Sequence, residues 1–111
     1  MITTHVLDIA RGRPAVGVTV TLELRQSDAW DPIGRGATDD DGRATTLTGG
    51  RQLTAGTYRL TFELGDYQRR QGIASPFFPE ATVVFDVRET DRHYHVPLLI
   101  SPFGYSTYRG T

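Results

Sequence analysis

The feature that most constrains this chain is the alternation of apolar and polar residues with a period of two. Apolar residues occupy every second position over residues 18–24 and again over residues 58–64, with polar or charged residues between them. Successive side chains of a strand point to opposite faces, so this period predicts strands that are buried on one face. Residues 82–87 and 94–100 are rich in β-branched, aromatic and aliphatic residues, which predicts two further strands.

Short turn signals separate these segments at intervals that are typical of short antiparallel strands; they are Gly12-Arg13-Pro14, Asp41-Gly42, Gly49-Gly50, Ala55-Gly56, Ser75-Pro76 and Ser101-Pro102. The predicted fold is therefore an all-β antiparallel sandwich. Residues 66–72 combine helix-forming residues with an early acidic and late basic side chains, which predicts one short surface helix. Residues 27–36 follow neither pattern and are predicted to form a loop whose Trp30 packs as a lid.

Length and composition limit the possible functions. A chain of 111 residues fits a single domain spanning residues 1–111. A formal charge of −1 offers no electrostatic basis for binding nucleic acid or an anionic membrane, and without cysteine there is no disulfide, thiolate nucleophile or sulfur-ligated metal. No segment approaches the ~18 apolar residues of a membrane span, and the N-terminus does not resemble a secretory signal. A cytoplasmic location is expected.

Pro97 lies inside the predicted strand 94–100, where it cannot donate a backbone hydrogen bond. This position predicts that the strand is at a sheet edge or is bulged there. Exposed edges invite pairing between chains, and the C-terminal residues 103–108 are rich in aromatic side chains. Together these features favour an oligomer.

Three histidines are the side chains best suited to proton transfer near neutral pH. His5 lies in a segment, residues 2–8, in which it shares a strand face with Thr3 and Leu7. His93 and His95 are two residues apart and share a face with each other. A common site forms only if the first and the penultimate strand approach each other. Taken singly, each histidine is more often a surface or hydrogen-bonded residue without a catalytic role, because an isolated residue is a weak motif.

Other chemistries find less support in the residues. Three histidines could form a zinc site with an open position, although no supporting carboxylate is evident from spacing. Residues 39–41 beside Gly42 are typical of a solvated turn and lack a full calcium-loop pattern. No nucleophile elbow or phosphate-binding glycine loop is present. Arg43 and Arg109 are each uninformative alone, although a guanidinium can hold an anion at two points.

Several separated strings, in order along nearly the whole chain, resemble the 5-hydroxyisourate hydrolases, which belong to the transthyretin-like proteins; the strings are residues 4–8, 12–15, 38–39, 41–43, 77–80, 93–99, 101–102 and 105–111. The ending Tyr-Arg-Gly-Ser distinguishes these enzymes from the hormone-carrying transthyretins. Here the ending is Tyr-Arg-Gly-Thr, so Thr111 replaces the family's serine and keeps its hydroxyl.

The resemblance implies a transthyretin-like sandwich that assembles as a homotetramer, a dimer of dimers with active sites in the channel between dimers. It implies hydrolysis of 5-hydroxyisourate to 2-oxo-4-hydroxy-4-carboxy-5-ureidoimidazoline in urate degradation, without a metal or cofactor. Three catalytic residues carry over, namely His5, Arg43 and His95, whereas His93 matches no catalytic position of the family. The C-terminal tetrapeptide is implied to bind the substrate: Tyr108, Arg109, Gly110 and Thr111. The alternative is a transthyretin-like protein that binds a small ligand without catalysis.

Overall fold

The structure is a computed structural model that describes all residues 1–111. It contains nine strands and one helix, in the order β1 (Ile2–Asp8), β2 (Arg13–Pro14), β3 (Thr19–Gln26), β4 (Ala29–Ala37), β5 (Arg43–Ala44), β6 (Gly56–Glu63), α1 (Leu64–Arg70), β7 (Glu80–Val87), β8 (Tyr94–Ser101) and β9 (Gly104–Thr107). The helix has seven residues, and no helix of the chain is long and apolar enough to cross a membrane.

The strands form two sheets. The first sheet has the order β2-β1-β8-β9, with β5 also paired to β1, and the second has the order β4-β3-β6-β7. All strand pairs are antiparallel except β1 and β8, which run parallel. The predicted antiparallel arrangement is therefore wrong for the pairing of β1 with β8, whose strands run in the same direction. The two strands are joined by most of the chain rather than by a hairpin, so no turn dictates their relative direction.

The alternation in the sequence matches the burial of the strands. Every second residue of β3 and β6 faces the core, including Leu22, Leu60 and Phe62, which are fully buried. Val6 and Leu98 of the first sheet face them, and the buried apolar side chains of both sheets form one cluster. The predicted all-β sandwich with one short helix is confirmed.

The helix α1 begins and ends two residues before the predicted segment. Asp66 lies in its first turn and Arg69 and Arg70 in its last, as the charge pattern indicated. One side of the helix is buried, and there the Tyr67 hydroxyl donates a 2.7 Å hydrogen bond to the Asp8 carboxylate at the end of β1. This bond attaches the helix to the first sheet.

The prediction of a loop over residues 27–36 is wrong. These residues form most of β4, which pairs with β3 in a hairpin. The segment contains one proline and two glycines, which weaken the strand signal, but pairing with β3 stabilises it, and a register shift in the hairpin next to Pro32 accommodates the irregularity. Trp30 is not a lid. Its ring lies opposite Arg25 in the hairpin and stacks with the guanidinium groups of Arg25 and Arg59.

Pro97 does not lie on an edge strand, because β8 is paired with β1 on one side and β9 on the other. The Pro97 carbonyl accepts a hydrogen bond from the Thr107 hydroxyl, so its nitrogen faces the C-terminal segment. The ladder with that segment is interrupted between the end of β9 and an isolated bridge of His95 with Gly110. Pro97 has no backbone N–H to donate, and the strand pairing is interrupted at its position. An interior strand therefore tolerates the proline here.

Candidate active site

The outer face of the first sheet brings the predicted catalytic residues together. His5 of β1 pairs with Arg43 of β5, and on the other side of β1, Thr3 pairs with His95 of β8. Directly paired residues share a face of the sheet, so all four side chains lie on one surface. The neighbouring residue Thr4 is fully buried on the core side. The approach of the first and penultimate strands, which the site requires, is therefore present.

Thr3 links the two histidines of β8. Its hydroxyl lies 2.8 Å from Nε2 of His93 and 2.8 Å from Nδ1 of His95. The two imidazoles cover Thr3, which is only 4% exposed although it lies on the outer face. Sequence reasoning placed Thr3 on the face of His5 but gave it no role, because a lone threonine carries no motif.

His5 is oriented by the turn that precedes β5. Its Nε2 lies 2.7 Å from the backbone oxygen of Asp41. A carbonyl oxygen only accepts, so Nε2 carries the hydrogen and Nδ1 is the free nitrogen of the neutral ring. The Asp39 carboxylate holds the same turn by accepting from the backbone N–H groups of Asp41 and Arg43. The bond from Arg43 is the main cause that lowers the pKa of Asp39.

The electrostatic surroundings keep His95 neutral. Burial lowers the pKa of His95, and the positive charge of Arg43 and the neighbouring rings of His93 and His5 lower it further. A histidine whose pKa lies below its ordinary value is unprotonated at neutral pH and able to accept a proton. His95 is therefore suited to act as a general base.

Arg43 offers an unpaired positive charge beside the two histidines. Its backbone is fixed by Asp39, but its exposed guanidinium makes no ion pair and no hydrogen bond within the chain. An unpaired, planar guanidinium on a pre-ordered backbone is suited to bind an anion at two points.

The C-terminal residues reach the site to different extents. Gly110 bridges to His95, and a Cβ on Gly110 would lie 2.7 Å from the imidazole Cδ2. Thr111 follows it and is exposed, as is Tyr108. Arg109 is different, because its guanidinium stacks on the ring of Tyr94, 4.6 Å from the centroid, and Tyr94 faces the core side of β8, opposite to His95.

An open cavity of about 560 Å³ adjoins this surface; its lining residues are Glu89, Arg92, His93, Arg109, Gly110 and Thr111. It is lined entirely by polar or glycine residues, which suits a polar ligand better than an apolar one. The zinc site considered from the sequence does not form, because no group of three or more His, Cys, Asp or Glu side chains is arranged to hold a metal ion.

The two sheets and this polar face define a transthyretin-like β-sandwich with an imidazole and guanidinium site. A family model described as the HIUase/Transthyretin family matches residues 2–110. The chain belongs to this family.

Individual relatives agree with this assignment. The chain is 46% identical to 5-hydroxyisourate hydrolase 2 of Rhizobium meliloti, over 99% of this chain and 95% of the relative. The solved 5-hydroxyisourate hydrolase of Klebsiella pneumoniae is 39% identical, covers 99% of this chain and 98% of its own, and superposes with a TM-score of 0.84. Sea bream transthyretin, solved in complex with thyroxine, is 37% identical, covers 98% of this chain and 93% of its own, and has a TM-score of 0.90.

The fold alone does not separate the enzymes of this family from the carriers, since both kinds of structure superpose well. The names of the curated relatives distinguish the enzymes from the carriers. Those from Salmonella, Caulobacter and Rhizobium, 42% to 46% identical over nearly the whole chain, are all named 5-hydroxyisourate hydrolases. The sequence comparison thus places the chain with the enzymes of the family.

Proposed function

We propose that this protein hydrolyses 5-hydroxyisourate to 2-oxo-4-hydroxy-4-carboxy-5-ureidoimidazoline, a step of urate degradation. The observation that carries the proposal is the meeting of His5, Arg43 and His95 on one face of the first sheet. Its enzyme relatives, named for this reaction, supply the substrate.

In the first step, His95 accepts a proton from water as the water oxygen bonds to the ring carbonyl carbon. The Nε2 atom is the one that accepts, since Nδ1 is occupied by Thr3. Neutral His95 is available for this because its pKa is lowered. His5 presents its free Nδ1 to the same region and orients the water or a substrate N–H group.

The carbonyl oxygen becomes negatively charged as the new bond forms, and the Arg43 guanidinium stabilises it. Such stabilisation is effective because the backbone of Arg43 is already fixed by Asp39 before the substrate arrives. The tetrahedral intermediate then breaks its bond to the ring nitrogen, which takes the proton back from His95. The products are a carboxylic acid, which ionises, and an opened ring.

The C-terminal residues Tyr108, Gly110 and Thr111 close the substrate site in this proposal, with the Thr111 hydroxyl serving where the family has a serine. Arg109 anchors this segment by stacking on Tyr94. Its direct contact with the substrate stays a prediction, because that contact requires the guanidinium to leave the ring.

The active unit is proposed to be a homotetramer in the cytoplasm, with its sites in the channel between dimers. Support comes from the open position of the histidine face on a single chain and from large exposed aromatic side chains, among them Phe103, which is 80% exposed. Sedimentation equilibrium measures the assembled mass, and a monomer at micromolar concentration would contradict this part of the proposal.

The test is the loss of freshly prepared 5-hydroxyisourate, followed by ultraviolet absorbance against its spontaneous decay. We expect the protein to accelerate decay strongly, with and without a chelator. We expect His95→Ala and Arg43→Gln to lose most of the effect. Arg51→Gln is the matched control, because Arg51 is exposed and lies away from the site. If the protein leaves the spontaneous rate unchanged, the hydrolase proposal is wrong and ligand binding without catalysis becomes the better hypothesis.

A further inference from the structure

The hydroxyl of Thr3 stands between two imidazoles, and its single hydrogen limits how the three groups bond. It lies 2.8 Å from a nitrogen of each ring and has no other hydrogen-bond partner in the chain. If both rings donated to it, its own hydrogen would be left without an acceptor at a site that is only 4% exposed. One ring must therefore donate to the hydroxyl while the hydroxyl donates to the other.

Two arrangements satisfy this condition, and they set opposite roles for His95. When the His95 Nδ1–H donates to Thr3 and Thr3 donates to His93, the His95 Nε2 atom is a free acceptor. When His93 donates to Thr3 and Thr3 donates to His95, neutral His95 carries its hydrogen on Nε2 and is a donor. Through the Thr3 hydroxyl, the protonation state of His93 therefore determines whether the His95 Nε2 atom, which faces the substrate, is an acceptor or a donor.

We propose that Thr3 and His93 are positioning residues that form a proton relay, which fixes the tautomer of His95 and carries its proton to solvent. The catalytic role of the relay rests on the proposed function, but its hydrogen bonds are present without substrate.

The relay conserves protons at each step. As His95 Nε2 takes a proton from the attacking water, His95 Nδ1 gives its hydrogen to the Thr3 oxygen. The Thr3 hydroxyl hydrogen moves to His93 Nε2, and His93 releases the hydrogen of its other nitrogen to solvent. When the ring nitrogen then takes the proton from His95 Nε2, the same transfers run in reverse and His93 takes up a proton from solvent, so the relay returns to its starting state. The net proton of hydrolysis comes from the ionisation of the product carboxylic acid. No oxidant or further reactant is involved.

The position of His93 suits the last step. His93 is exposed and lines the cavity of about 560 Å³, whereas Thr3 is covered. Titratable and charged groups face the relay from both ends: His5 and Arg43 on the side of His95, and Glu89, Arg92 and Arg109 around His93. His93 therefore meets water and mixed charge, while His95 meets the substrate.

Kinetics of three variants test the relay. Thr3→Val keeps the shape but removes the hydroxyl, Thr3→Ser restores the hydroxyl, and His93→Gln keeps polar atoms without titrating. We expect Thr3→Val to lower kcat roughly 10-fold to 100-fold with little change in KM, less than the ~10²–10⁴-fold effect of losing the base itself. Thr3→Ser should recover most of this loss, and His93→Gln should change the pH profile of kcat. Thr57→Val is the control, since it removes a side-chain hydrogen bond to Asp86 in the second sheet.

Nitrogen NMR of the histidine rings, recorded without substrate, separates failure of the relay from failure of the proposed function. In the wild type we expect titration of His93 to move the His95 ring signals, and in Thr3→Val we expect this coupling to vanish. Coupling that survives in Thr3→Val, or kinetics equal to those of Thr57→Val, would overturn the relay. Lost coupling in a protein inactive on 5-hydroxyisourate would uphold the hydrogen-bonded relay and reject only that substrate.

Discussion

The backbone N–H of Gly110 donates to the backbone oxygen of His95 over 2.8 Å, which brings the C-terminal chain directly against the imidazole. A Cβ at position 110 would lie 2.7 Å from the ring, closer than atoms of these types approach. The end of the chain thus limits where the imidazole ring of His95 can lie.

Gly110→Ala is expected to displace His95 or the C-terminal residues and to lower kcat by about 100-fold, the effect of a displacement of about 1 Å at a reacting group. Its global stability should change little, because the site is at the surface. The control is Gly50→Ala, where no atom lies within 4 Å of the added Cβ. Steady-state kinetics and thermal denaturation of both variants check this, and equal activities would contradict the role given to Gly110.

The pH dependence should report the lowered pKa of His95. Because the pKa of His95 lies below its ordinary value of 6.5, the decline of kcat/KM with falling pH should reach its half-point below pH 6.5. Arg43→Gln removes a positive charge and should raise the pKa of His95, which NMR titration measures even if the variant is inactive. Arg51→Gln should leave that pKa unchanged.

The lowered pKa of His95 should also make the stability of the folded protein depend on pH. The unfolded chain binds a proton at this histidine more readily than the folded chain does, so the folded state is favoured above pH 6.5 and loses this advantage as the pH falls through the lower, folded pKa. Denaturant unfolding of the wild type and His95→Gln across this range should show a smaller pH dependence in the variant. An identical dependence would mean that the folded pKa is not lowered.

Asp39 should matter to catalysis without touching the substrate. Its carboxylate holds the turn that supplies both the Asp41 oxygen for His5 and the backbone of Arg43. Asp39→Ala is expected to lower kcat/KM roughly 10-fold to 100-fold by loosening these two groups. Asp40→Ala serves as the neighbour control, because the Asp40 side chain is exposed and makes no hydrogen bond. A larger loss from Asp40→Ala would refute the assignment.

The buried bond from Tyr67 to Asp8 should contribute to stability rather than to activity. Tyr67→Phe leaves the Asp8 carboxylate, 6% exposed, without one donor, and should cost about 1–3 kcal/mol in the free energy of unfolding. Burial and the Asp8 carboxylate raise the pKa of Tyr67 to about 12, so the wild type should lose this stabilisation as the pH rises from about 10 to about 12. Denaturant titration checks both effects, with the exposed Tyr105→Phe as the control.

The sequence predicted the parts of this fold whose signals are local. Alternation located β3 and β6, and the charge pattern located α1 to within two residues. It failed for β4, whose proline and glycines conceal a strand that depends on pairing with β3, and for Pro97, which a gap in the ladder accommodates inside a sheet. In both cases a distant partner, rather than the local residues, decides the structure.

The residues of the candidate site likewise fall into those that the sequence indicated and those that only the structure revealed. The residue types and the family resemblance indicated His5, Arg43 and His95, which the structure does bring to one face. They did not indicate Thr3 or Asp39, whose importance lies only in hydrogen bonds across the sheet and the turn. Nor did they show that Arg109 stacks on Tyr94, away from His95.

By itself, the sequence determined the sandwich class, the family and the side chains that we propose carry the chemistry, because periodicity and residue type are properties of the chain alone. Tertiary structure decided the parallel pairing of β1 with β8, and with it the placing of Thr3 between His93 and His95. Residues some 90 positions apart meet there because burial of the core faces of β1 and β8 fixes their register, and no local pattern encodes that register.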